Sequence, residues 1–177
     1  VSDALRRTVD VVHLLALVTW IAMLAAAGGA AMGVFITLPT LDVRIESLAP
    51  VLGDDADLHG RVAGGMVMRP VFQATDRGQA IAAGVAMITL LLQLAFDRRR
   101  WPLRSVAVAL RSICVVAAAT LVILHALSFA PRMDGALLRS WDALRSGDRT
   151  GWQSAREEFD VDHRRADTLF RVRLALV

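Results

Sequence analysis

The chain has 177 residues, 55% of them hydrophobic and 21% charged, with a formal net charge of +3 and a mean hydropathy of +0.50. Its apolar residues are gathered into three charge-poor runs of about 20 to 28 residues, with the charges between and after them, which is the composition of a small polytopic membrane protein. Disorder, a collagen, a disulfide scaffold and an ordinary soluble enzyme are excluded.

All 20 basic residues are arginine, and lysine, asparagine and tyrosine are absent. The missing residues have AT-rich codons, so a GC-rich bacterial genome is the expected source. The pI is near 10.7, but the arginines are scattered and form no continuous basic stripe, so no nucleic-acid partner is expected. Cys114 is the single cysteine. It lies in an apolar run and reads as a small buried apolar residue.

In chain order, no Asp, Glu or Arg occurs between Asp10 and Asp42, and 11–38 reads as one helix long enough to span a bilayer with tilt. Pro39 is expected to stop it, since proline lacks the amide donor and restricts Leu38. Residues 42–77 read as an outer loop, with the glycines of 58–66 forming a helix start that packs closely. The second span is the shorter apolar run 78–96. Arg98, Arg99, Arg100, Trp101 and Arg104 follow as interfacial anchors. The third span is 105–131, with Arg111 snorkelling toward the headgroups as a further anchor.

The four arginines in the seven residues 98–104, against four arginines and six acids in 42–77, place the short basic connection on the cytoplasmic side. The N-terminus is then cytoplasmic, and 42–77 and 132–177 are periplasmic or exterior. Residues 1–131 thus form a transmembrane bundle and 132–177 an amphipathic helical segment.

In that segment Leu137, Trp141 and Leu144 recur at helical spacing, and Phe159 and Phe170 continue the pattern after the break at 147–151. These are expected to face a partner or the membrane surface. Residues 169–177 turn apolar again, read either as an interfacial end or as the start of a fourth span.

Small residues form the candidate packing faces: Ala25, Gly29 and Gly33 on the first span, with Ala82 and Ala86 on one row and Ala80 and Gly84 on another row of the second. No ionisable residue is expected in the bundle core. Histidines raise the question of metal. His59, His125 and His163, with Asp160 and Asp162 nearby, are the candidate ligands, but they lack the HxxxH spacing that preorganises two of them, and ordinary hydrogen-bonding histidines are the expectation. His13 and His125 lie at opposite ends of the bundle and cannot share one haem. No cofactor is therefore expected; a pigment or haem would enter only through partner subunits or a single histidine. No catalytic residue is identified, because the glycine pattern at 58–66 lacks the GK[ST] ending of a phosphate loop and no nucleophile motif is present.

Three segments resemble the transmembrane-protein-205-like family and its bacterial relatives of unknown function. They are Gly28-Gly29-Ala30-Ala31-Met32-Gly33-Val34-Phe35-Ile36-Thr37-Leu38-Pro39-Thr40-Leu41, then Gly60-Arg61-Val62-Ala63-Gly64-Gly65 with Val71-Phe72, and Phe159-Asp160-Val161-Asp162-His163 with Leu169 and Leu174. The sequence departs from the family in placing Trp20 eight residues before Gly28 rather than beside the glycine pair, and in lacking a complete fourth helix. The resemblance implies a small integral membrane protein without known cofactor, and makes His163 a candidate for a shared role.

The expectation is an all-α polytopic integral membrane protein of the bacterial inner membrane with three transmembrane helices and amphipathic outer helices. Its expected role is non-catalytic, as an accessory subunit packing with lipid and with other subunits of a respiratory or photosynthetic assembly. A small transporter or efflux helper is the second reading, and an outward-facing metal-binding protein the third.

Overall fold

The computed structural model describes residues 2–97 and 105–177. Helices α1 (Asp3–Thr40), α2 (Ala49–Leu52), α3 (Ala56–Asp97), α4 (Ser105–Leu124), α5 (Ala130–Ser146) and α6 (Arg149–Leu176) account for most of them, with a 3-10 turn at Glu46–Leu48 and a π turn at His125–Phe129. No strand occurs among the described residues. Three helical stretches are long and apolar enough to cross a membrane.

Each helix outruns its apolar run. α1 starts at Asp3, where the Ser2 hydroxyl accepts the Leu5 amide, a standard N-cap. It ends at Thr40, one residue past Pro39 and so close to the expected stop; the proline fits in the last turn because it removes a hydrogen bond only from the turn before it. The Thr40 hydroxyl closes that turn onto the Thr37 carbonyl at 2.7 Å.

α3 extends furthest beyond expectation. Residues 56–77 are helical, so the anticipated loop shrinks to 41–55. Asp55 caps the start by accepting the Leu58 amide at 3.1 Å, and the Arg61–Asp57 pair supports the first turns. Gly60 and Gly64 of this stretch are tolerated because they face α1, while Gly65 faces Trp141. A Cβ on Gly60 would lie 2.6 Å from the Pro39 Cα, and one on Gly64 would lie 2.9 Å from the Phe35 ring. The expected close packing of the 58–66 glycines is therefore present, inside a helix of about 63 Å.

The third helix likewise passes Pro131, and no domain boundary falls at 131–132. The π turn at His125–Phe129 precedes the proline, with the Ala130 amide reaching back to the His125 carbonyl. This wider turn relieves the clash that the Pro131 ring would otherwise make with the Leu127 carbonyl. α5 ends at Gly147, whose φ of 78° supplies the left-handed cap.

α1 and α3 form a long antiparallel hairpin, α4 packs on α3, and α6 folds back along α5 to reach α4. One core lies within the apolar helices: Ala16, Trp20 and Leu24 of α1, Ala82, Ala83, Ala86 and Leu90 of α3, and Val115, Ala118, Ala119 and Val122 of α4. A second joins Leu48, Val51 and Leu52 to Trp141, Leu144 and Trp152.

That second core corrects the reading of the amphipathic helices. Trp141 and Leu144 are buried by this chain's own α2 and α3, and Leu137 packs against the same cluster. Phe159 stacks on His163, and Phe170 packs on the first core together with Leu176 and Val177. The apolar stripe of α5 and α6 meets this chain itself, and the last turns of α6 form a partial fourth member of the apolar bundle.

The small-residue faces divide. Ala82 and Ala86 are buried, whereas Ala25, Gly29, Gly33, Ala80 and Gly84 are exposed, with open space beside Gly29, Gly33 and Gly84. Close approach is instead made by Gly60, Gly64 and Gly78. Gly60→Ala should therefore lower unfolding stability by about 1–3 kcal/mol, the usual cost of overpacking, because the new Cβ meets backbone. Gly84→Ala should change it by less than about 0.5 kcal/mol. Thermal unfolding of both variants in detergent checks the contrast.

Candidate functional site

The interior faces of α1, α3 and α4 carry polar groups among the alanines and leucines, contrary to the expectation of a core free of ionisable residues. The first layer lies near the start of α1. His13 is buried, and its Nδ1 lies 2.9 Å from the Thr89 hydroxyl oxygen. That hydroxyl also lies 2.8 and 3.0 Å from the carbonyls of Val85 and Ala86. When its single proton goes to one of these carbonyls, Thr89 accepts from the ring Nδ1–H and Nε2 carries the lone pair. Nε2 is buried without a partner.

Beside it, the Gln93 amide donates to Asp10 at 2.8 Å, and its carbonyl accepts from Arg111 at 2.9 Å. This chain of bonds links α1, α3 and α4. Arg111, expected as an anchor directed at headgroups, thus spends a donor on α3.

A second layer lies 13 residues back along α3, about 20 Å away. His125 Nε2 is 3.4 Å from an Asp76 carboxylate oxygen. Arg173 of α6 is only 4% exposed, has Asp76 as its opposing charge, lies near the Phe170 ring and keeps its Nε unpaired. Between the layers the Trp20 Nε1 and Gln79 Oε1 atoms are also buried without partners. Closer to the second core, Arg69 grips Asp134 through two hydrogen bonds, the longer 2.8 Å, and Gln73 adds a third at 3.3 Å.

The histidines do not converge. His59 is fully used by structure: Nδ1 accepts the Ile45 amide at 3.1 Å, and Nε2 donates to the Gly53 carbonyl at 3.0 Å. It ties the 41–55 connection to α3. His125 belongs to Asp76, and His163 is exposed with its ring on Phe159. Among the described residues no three His, Cys, Asp or Glu side chains are grouped to hold a metal ion. An open polar cleft between α5 and α6 contains the Arg139–Glu158 ion pair at 2.6 Å. The proposed anchors Arg98, Arg99, Arg100, Trp101 and Arg104 lie outside the described residues.

A helical-period signal for the two layers was present in the sequence. Asp76, Gln79, Thr89 and Gln93 fall on the same stripe of α3 as Ala82 and Ala86, and His13 falls on the stripe of Val9, Ala16 and Trp20. Comparison with protein-family models, curated proteins and solved structures finds no match to this chain.

Hydrogen bonds between apolar helices contribute about 0.6 kcal/mol on average and up to about 1.7. Gln93→Leu breaks the Asp10–Gln93–Arg111 chain at its centre and should cost stability at the upper end of that range. Equilibrium unfolding in mixed micelles checks it; unchanged stability would show that the chain of bonds contributes nothing to holding α4.

Proposed function

We propose that the chain is an integral membrane protein inserted through α1, the apolar half of α3 and α4, and that it serves as a non-catalytic accessory subunit beside other membrane proteins. The observation that carries this reading is an apolar face of α1 too tall for lipid alone. Ala22, Ala25, Ala26, Gly29, Ala30 and Gly33 are all exposed, on the side of α1 opposite its buried stripe. Met32 and Ile36 continue the exposed face at 64% and 63%.

Elsewhere on the molecule charge begins much earlier. Phe170 lies against Gly28, and Arg171 follows it on α6. From Gly28 to the end of α1 at Thr40 is about 18 Å of helix. Over that height α1 presents apolar atoms outward, while α5 and α6 expose Arg132, Arg139, Arg164 and Arg171. A bilayer has one height around the molecule, whereas a neighbouring apolar helix covers one side only. The small residues let such a helix approach closely.

The likeness of three segments to the transmembrane-protein-205-like family supports membrane insertion but not the choice of role, and the arginines at 98–104 support a cytoplasmic N-terminus. A small transporter is the second reading, favoured by the ionisable groups Asp76, His125 and Arg173 inside the bundle.

Photo-crosslinkers at Gly33 and Ile36, applied in native membranes, should capture a distinct membrane protein, whereas one at Ile113 on α4 should not. Gly29→Leu should lower co-purification of that partner about tenfold, equivalent to about 1.4 kcal/mol. Equal labelling from all three positions would remove the accessory reading. Solute flux in liposomes holding this protein alone would then establish the second.

A further inference from the structure

The His13 ring has the features of a proton acceptor held ready inside the bundle. Its Nδ1 lies against the Thr89 hydroxyl, and its Nε2 is buried without a hydrogen-bond partner. An unpaired buried acceptor is costly and calls for a reason. Two charged groups act on the ring in opposite senses: Asp10 from its own helix favours a proton there, and Arg111 from α4 opposes it. From α3 the ring meets the Thr89 hydroxyl and the Ala86 carbonyl, which like the neighbouring Gln93 are neutral.

Asp10 lies one turn before His13, a spacing that puts two side chains side by side on one face. It is exposed, whereas His13 is buried. The carboxylate that now accepts from Gln93 is therefore placed both to take a proton from solvent and to reach the ring.

We infer that His13 is a proton-binding site in the bundle interior, loaded through Asp10, and that its occupancy releases the Gln93–Arg111 clasp between α3 and α4. In the loading step a proton from water forms an O–H bond on the Asp10 carboxylate. That bond then breaks as an Nε2–H bond forms on His13, and the restored carboxylate accepts the new donor. The Gln93 amide loses its acceptor in the exchange. The imidazolium now stands near the Arg111 guanidinium of the exposed end of α4, and the two like charges repel. Arg111 leaves Gln93, and the start of α4 moves away from α3. The proton charge is conserved at every step and nothing is oxidised or reduced. This inference is independent of which neighbour α1 contacts.

The test uses the full chain in lipid nanodiscs with Cys114→Ala. Nitrogen-15 histidine spectra follow the ring, and spin labels at Ile88 and Ile113, exposed at 60% and 65%, report the α3–α4 distance. Between about pH 8 and about pH 4, which takes in and extends below the range in which free imidazoles titrate, the His13 signals should pass from the neutral ring to imidazolium. The label distance should grow over the same interval by about 1–2 Å or more, the size of helix shifts in such switches. The change in distance should vanish in both His13→Gln and Asp10→Asn. A His13 ring that stays neutral throughout, a distance that ignores its titration, or a pH-dependent distance that persists in either variant would overturn the inference.

Discussion

The structure depends on the close approach of α1 and α3. Where Gly60 meets the Pro39 backbone and Gly64 meets the Phe35 ring, there is no room for a side chain on α3. A third contact, Gly78 against Met23, extends the seam toward the apolar core. Small residues matter here because apolar helices in an apolar medium gain little from burial and must rely on contact and hydrogen bonding. The seam fixes the helices in register as well as in separation. His13 reaches Thr89 and Asp10 reaches Gln93 only because the two helices cannot slide past one another.

A molecule built on such a seam has two different interiors. The one between the apolar helices is mostly alanine and leucine, with Trp20 fully enclosed, and its few polar groups are arranged in layers. The one beyond it is an ordinary amphipathic core, in which Trp141, Leu144 and Trp152 are covered by Leu48, Val51 and Leu52. His59 serves the second interior by holding the connection that supplies those three residues. The Arg69–Asp134 pair stands between the two, joining α3 to α5 just past the π turn.

The three apolar runs were legible because charge is absent from them, and the amphipathic helices because Leu137, Trp141 and Leu144 recur at helical spacing. The ends of the helices were not. The glycines of 58–66 read as a helix start inside a loop and Pro131 as the end of a span, and both are absorbed by context: a facing helix for Gly60 and Gly64, and a widened turn for Pro131. The orientation of the small-residue rows was equally hidden, since Ala25-Gly29-Gly33 and Gly60-Gly64 have the same composition and spacing. Only the position of Pro39 and Phe35 across the seam separates them. The polar layers were hidden differently. His13, Gln79, Thr89 and Gln93 each look like isolated polar residues in apolar runs, and their stripe becomes visible only once the phase of the buried alanines is known.

The π turn has a consequence for how α4 and α5 divide their contacts. Ala118 and Val122 on α4 are each 18 residues from Ala136 and Ser140 on α5, five whole turns in a plain α-helix, so all four would point the same way. One extra residue in the turn rotates everything after it by about 100°. A single continuous rod can thus direct its first half at α1 and α3 and its second half at α2 and α6. The widened turn works as a phase shifter, letting one helix belong to both interiors.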